Sequence, residues 1–116
     1  MASNKISGPF SLSDRTLKEN ITVIPNALDK INAISGNTFT WKGGFPDGSV
    51  TGRGWEFGDA PSDTGLIAQE VEALGLPGIT STTSDGTKVV SYKRLIPVLV
   101  QAIKELTVKV NALENG

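Results

Sequence analysis

Apolar residues recur at helical spacing in three stretches of the chain and alternate with polar ones in four others, which divides most of it into short elements. Ala27, Leu28, Ile31 and Ile34 predict a short amphipathic helix over Asn26–Ile34, with Pro25 at its start and Gly36 as its stop. Thr38–Lys42 (TFTWK) and Trp55–Phe57 (WEF) alternate on either side of a Gly-rich stretch, Gly43–Gly54, and predict a hairpin around a long loop. Pro61, Ser62 and Asp63 then precede Leu66, Ile67, Val71 and Leu74. These predict a second amphipathic helix, with Asp63 as N-cap and Gly75 and Pro77 as stops. The run ITSTTSDGTKVVSY predicts a short hairpin turning at Ser84, Asp85 and Gly86. Ahead of these, residues 1–12 carry Gly8, Pro9 and several Ser without an apolar period, and read as an extended lead-in. Leu17, Ile21, Val23 and Ile24 form the first apolar cluster.

The last segment is the most regular. Ile96, Leu99, Ile103, Leu106, Val110 and Leu113 are separated by 3, 4, 3, 4 and 3 residues, a heptad seam on a helix over residues 96–113 that would run about 27 Å. Leu95, Val98 and Ala102 make a second stripe beside it, so the first turns can face their own domain and a partner chain together. Beyond Leu106 the flanks include Thr107, Lys109, Asn111 and Glu114, so the seam is the main apolar stripe there and that half is expected to project from the globular part. Pro97 must lie in the first turn. β-Branched residues at one seam position and Leu at the other favour two-stranded coils in isolation. The plain alternative is an ordinary core helix.

At 116 residues, 38% hydrophobic and 20% charged, the chain suits one α+β domain: a small globular part of short helices and β-hairpins followed by the long C-terminal helix. Eleven Lys and Arg against twelve Asp and Glu give a net charge of -1, with no basic excess for phosphates or anionic lipid, so neither nucleic acid nor membrane is expected as a partner. No stretch approaches the roughly 20 apolar residues of a membrane span, and MASNKISGPF lacks the apolar core of a signal peptide. The chain reads as soluble, and as the tail of a longer polypeptide. With no Cys and no His, disulfides, Cys/His zinc sites, thiol nucleophiles and imidazole bases are excluded, and no cofactor or metal is implied.

Hydroxyls, carboxylates and amines remain. SDRTLKENI offers Ser13 with Lys18, a hydroxyl nucleophile and an amine. A lysine amine, ordinarily titrating near ~10.4, is a base only when neutral, which burial favours; Leu17 and Ile21 stand where they could supply an apolar setting. Five residues apart, the two side chains diverge by about 140° on a helix and lie on opposite faces of a strand, so they can meet only across a turn or between chains. On spacing alone such pairs are common, and the alternative is a turn begun by Ser13 and Asp14 with Lys18 in solvent. Glu70 and Glu72 diverge on their helix and read as a solvated face. Gly43, Gly44, Gly52 and Gly54, near Lys42 and Arg53, match no phosphate loop. Trp41, Trp55 and Phe57 could stack on a sugar but more often such aromatics pack a core.

The order of these blocks resembles a known family. SDRTLKENI, the helix ALDKINAI, the strand TFTWK, then TGLIAQEVEAL and a hairpin leading to VVSYKRLIPVLVQAIKEL are similar, from Ser13 to about Leu106, to the C-terminal intramolecular chaperone domain, or peptidase S74 domain, of phage tail spikes, tail fibres and endosialidases. The resemblance implies a homotrimer that aligns the β-structured fibre segment upstream in the same polypeptide and then releases itself by single-turnover serine autoproteolysis. It places the cut between Leu12 and Ser13, the nucleophile at Ser13 and the general base at Lys18. Many members carry a basic residue where Thr16 stands. Residues 1–12 are then a remnant of the fibre and 13–116 the chaperone and autoprotease domain, with residues 96–113 as the trimerising helix. The precursor would be made in the bacterial host cytoplasm as part of a tail fibre or spike, and the domain lost from the mature virion. An intrachain N-to-O acyl shift and attack by a neighbour's Ser13 both stay open. A non-cleaving trimerisation cap, and a receptor-binding tip, are the competing readings.

Overall fold

The structure, a computed structural model, describes residues 10–42 and 62–116. Its elements run in the order of a 3-10 turn (Arg15–Leu17), α1 (Ala27–Asn32), β1 (Asn37–Thr40), β2 (Ser62–Gly65), α2 (Ala68–Glu72), β3 (Thr80–Thr82), β4 (Lys88–Val90), a second 3-10 turn (Tyr92–Leu95) and α3 (Ile96–Asn115). The α+β architecture of short helices, small antiparallel sheets and a long terminal helix is the one expected from the sequence.

β3 and β4 pair antiparallel from Thr80 opposite Val90 to Thr82 opposite Lys88. Their turn closes at Gly86, whose φ of +90° suits a residue without a side chain. The Asp85 carboxylate accepts bonds from Thr83 Oγ1 and, at 3.1 Å, from Thr87 N.

In the other sheet the strand paired with β1 is one the sequence pattern places at the start of a helix. β1 pairs antiparallel with β2, from Asn37 opposite Gly65 to Thr40 opposite Ser62; Trp55–Phe57 and the Gly43–Gly54 stretch lie outside the described residues. Asp63 is therefore a strand residue and not a helix cap. Its carboxylate accepts Trp41 Nε1 at 3.3 Å, and α2 begins at Ala68 behind Ile67 with no side-chain cap. SDTG has no apolar alternation and is rich in cap-forming residues, so its strand character comes from pairing with β1. Beyond β2, Leu66 N donates to Tyr92 Oη at 3.0 Å, and a Cβ on Gly65 would stand 2.5 Å from that oxygen. Glycine is the residue that lets the strand end against Tyr92.

The core lies where α1 packs along the first half of α3 and α2 packs on β3 and β4. Ala27, Val71, Ile79, Leu95, Val98 and Ala102 are buried there, with Ile24, Leu28, Ile31 and Ile34 packed around them. Leu95, Val98 and Ala102 are the inward stripe read from the sequence, and Pro97 sits in the first turn of α3, where a missing N–H costs nothing. Glu105, the next position on that stripe, ends it with a polar contact. Its carboxylate accepts Ala27 N at 3.0 Å and Leu28 N at 2.9 Å, capping α1 from α3. Asn26 stands at the local cap position with φ 53° and no side-chain bond. The amides of Leu28 and Ala27, with smaller help from Lys109 and Lys30, hold the Glu105 carboxyl below its ordinary value.

Glu70 and Glu72 diverge, but neither is simply solvated. Glu70 accepts Ser35 N and Ser35 Oγ, both at 3.0 Å, fastening the turn between α1 and β1; Glu72 forms an ion pair with Lys88 at 2.9 Å. Distal to Glu105 the helix leaves the domain, and every residue from Leu106 to Gly116 is exposed.

Candidate functional site

The N-terminal segment turns back on itself at Asp14. Its backbone is extended, and its carboxylate accepts Thr16 N at 2.9 Å and Thr16 Oγ1 at 2.8 Å. Leu17 N then donates to Asp14 O at 3.0 Å and Lys18 N to Arg15 O at 3.1 Å, closing one 3-10 turn. Lys18 leaves that turn extended, with φ -123° and ψ 149°, so its side chain lies back along the segment and Nζ donates to Ser13 Oγ at 2.7 Å. A helix or a strand would hold the two apart. A tight turn is the local solution that brings them together, and it does so within one chain. Asp14 is the residue the sequence reading undervalued. An Asp side chain accepting from the backbone N–H two residues on makes such a turn, and the two Thr16 donors, backbone first, hold its carboxyl below the ordinary range.

The apolar setting expected from Leu17 and Ile21 is not formed in the protomer. They are 67% and 55% exposed, because the turn is too short to carry Leu17 to the core and none of the other described elements packs over it. Leu12, at the expected scissile bond, is also exposed. Among the described residues one hydrogen bond joins this segment to the rest of the fold, from Lys93 Nζ to Ser11 Oγ at 2.9 Å.

The second candidate site is the seam on α3. Ile96, Leu99, Ile103, Leu106, Val110 and Leu113 are 42 to 83% exposed, on a face apart from the buried stripe. An open groove of about 560 Å³, walled by Ile31, Ile34, Leu66, Tyr92, Leu95 and Leu99, meets the seam at Leu99. Neither Ser13 nor Lys18 lines this groove or the second one beside Trp41. Phe39 and Trp41 stack edge to face with centroids 4.9 Å apart, an aromatic pair within β1 and its exit.

Comparison with known proteins places these features in a family. The family described as chaperone of endosialidase, peptidase S74, matches residues 13–79, so the match begins at Ser13 and contains Lys18. The chain is 36% identical over 107 residues to a long tail fiber protein, Gp37, of Salmonella phage S16, and 32% identical to the Gp37 proteins of Enterobacteria phages K3 and T2. These alignments cover 89% of this chain but 13%, 8% and 7% of the respective relatives.

Proposed function

The chain belongs to the chaperone of endosialidase family, and from that premise we propose that it is the intramolecular chaperone of a phage tail fibre, trimerising through α3 and releasing itself at Leu12–Ser13. The observation that carries the cleavage reading is the 2.7 Å contact between Lys18 Nζ and Ser13 Oγ, formed at the first residue of the family match. For chemistry the same contact runs the other way: Ser13 Oγ passes its proton to a neutral Lys18 amine and attacks the Leu12 carbonyl carbon. The Leu12–Ser13 C–N bond breaks, the departing nitrogen takes up the proton, and water hydrolyses the resulting ester to a Leu12 carboxylate and a free Ser13 hydroxyl. The substrate is the chain's own backbone, so no substrate groove is needed beside the pair. Attack within the chain and attack on a neighbour's Leu12 use the same two residues.

The assembly reading rests on the seam. Six large apolar side chains, repeating every 3 or 4 residues along one face, stay 42 to 83% exposed in the protomer. Three copies joined there would hold three upstream fibre segments at high effective concentration, so that their slow, non-local registration becomes intramolecular. We take three strands and not two from the family, since contacts around the globular part can override a short seam. In this reading the fibre precursor is made in the bacterial host, and residues 13–116 leave it after the cut.

The exposure of Leu17 and Ile21 favours a second reading, a trimerisation cap that stays on the fibre. Intact mass of the chain with its native upstream segment separates the two. Self-cleavage gives a fragment beginning at Ser13 that is missing in Ser13→Ala and Lys18→Ala while both variants still trimerise. Full-length mass in every case, with a trimer by sizing, assigns the cap.

A further inference from the structure

We infer that Lys93 is a positioning residue for the cut, holding Ser11 so that the Leu12–Ser13 bond is presented to the Ser13–Lys18 pair. The inference rests on the self-cleavage reading above and adds to it a residue outside the family match.

The segment from Phe10 to Glu19 has no buried residue, and its own hydrogen bonds run within the Asp14 turn. Those bonds set where Ser13 Oγ and Lys18 Nζ stand relative to each other. They leave the other reacting atom, the Leu12 carbonyl carbon, free to turn about the Ser13 N–Cα bond, the torsion that with the Ser13 χ1 sets its distance from Oγ and that a held upstream segment restrains. A near-attack geometry needs both sides of the reacting pair held, and a displacement of about 1 Å is enough to slow a reaction by as much as 100-fold. Lys93 supplies the missing restraint. It belongs to the 3-10 turn Tyr92–Leu95, whose last residue Leu95 is buried in the core and which runs directly into α3. From that fixed base its Nζ reaches Ser11 Oγ at 2.9 Å, two residues before the nucleophile. The bond spans 82 positions of sequence, and among the described residues it is the only hydrogen bond tying this segment to the folded domain.

The same contact has a second consequence. Cleavage at Leu12–Ser13 puts Ser11 on the departing upstream product and Lys93 on the released domain, so the bond crosses the cut. It restrains the carbonyl before the reaction and retains the product briefly after it.

The test uses the chain with its native upstream segment. Lys93→Met and Ser11→Ala are each expected to form the Ser13-initiated fragment about fivefold more slowly, the size of one ordinary solvent-exposed hydrogen bond. The double variant is expected to be no slower than either single one, because both remove the same contact. Lys93→Arg should restore most of the rate, and Lys104→Met, an exposed lysine on α3, should cut like the parent. In a Ser13→Ala background, Lys93→Met should lower the NMR backbone order parameter at Leu12 without changing those of α1 or α3. Losses that add in the double variant, an unchanged rate in Lys93→Met, or an unchanged order parameter at Leu12 would each overturn the assignment. A parent chain that never cuts overturns the self-cleavage reading and the positioning role with it, while the order parameter still decides whether the tether exists.

Discussion

α3 carries one apolar face buried in the protomer and one left exposed, and one substitution on each should separate folding from the proposed assembly. Val98 is fully buried against the protomer's own core. Val98→Ala removes two methyl groups at about 0.8 kcal/mol each and leaves a small cavity, for a loss of about 2–3 kcal/mol per chain. Ile103 lies on the seam and is 62% exposed in the protomer. Ile103→Ser should cost the isolated fold less than about 1 kcal/mol, as surface changes do. If three copies bury that side chain, each loses about 2 kcal/mol, so the trimer loses about 6 kcal/mol, or some four powers of ten in its association constant. Equilibrium denaturation at two protein concentrations about a hundredfold apart, with sedimentation equilibrium beside it, reads both quantities. Val98→Ala should lower stability at either concentration and keep the oligomer. Ile103→Ser should dissociate the oligomer at the lower concentration with its helical content retained. An Ile103→Ser protein that stays trimeric at both would refute the assignment of the seam to assembly.

Asp14→Ala removes the acceptor that folds the turn, so the Ser13–Lys18 contact should loosen and fragment formation by intact mass should slow several-fold, with the thermal transition unchanged. The Glu105 carboxyl titrates below its ordinary value of 4.5 when folded, so its contribution to stability is complete above that value and is lost as pH falls through the lower folded one. Glu105→Gln should therefore flatten the acid side of the melting-temperature profile, and amide exchange at Ala27 and Leu28 should accelerate in acid for the parent. Gly65→Ala should cost about 1 kcal/mol by displacing Tyr92 Oη from Leu66 N. Combined with Tyr92→Phe, which already lacks that oxygen, the loss measured by denaturation should be less than additive.

What the sequence disclosed follows the range of the interactions involved. The two stripes of α3 were legible because helical periodicity is local and the residues repeat, and the β3–β4 turn was legible because Ser84, Asp85 and Gly86 carry their own turn chemistry. β2 was hidden, since Ser62 and Asp63 suit a cap as well as a strand and only pairing with β1 decides. The start of α1 was found from Pro25, but its cap was not, because Glu105 lies 78 positions away from Ala27. For Ser13 and Lys18, the spacing ruled out helix and strand and left a turn or a contact between chains. Ser13 and Asp14 suited the start of a turn, but without the resemblance nothing gave the Ser13–Lys18 pair priority over the many like it. The expected shelter from Leu17 and Ile21 failed because apolar neighbours in sequence do not make a pocket unless some element packs over them.

That failure bears on how the cut would be timed. The Ser13–Lys18 distance is set by six consecutive residues and is met in one protomer, so assembly has nothing to complete within the pair itself. What a single chain lacks is cover: Leu12, Leu17 and Ile21 face water, and Lys18 Nζ donates to Ser13 Oγ, the opposite sense from the one proton transfer needs. Neighbouring protomers packed over those three side chains would exclude water and favour the neutral amine that proton transfer requires. Timing would then reside in desolvation and not in geometry, and the two can be told apart with the dissociated Ile103→Ser protein. Its turn is intact and its seam is broken, so it should keep the Asp14–Thr16 bonds, detected as slow exchange at Thr16 N, and yet remain uncut. Cutting at the parent rate in that monomer would mean that the turn alone is sufficient and that assembly gives no protection against premature release.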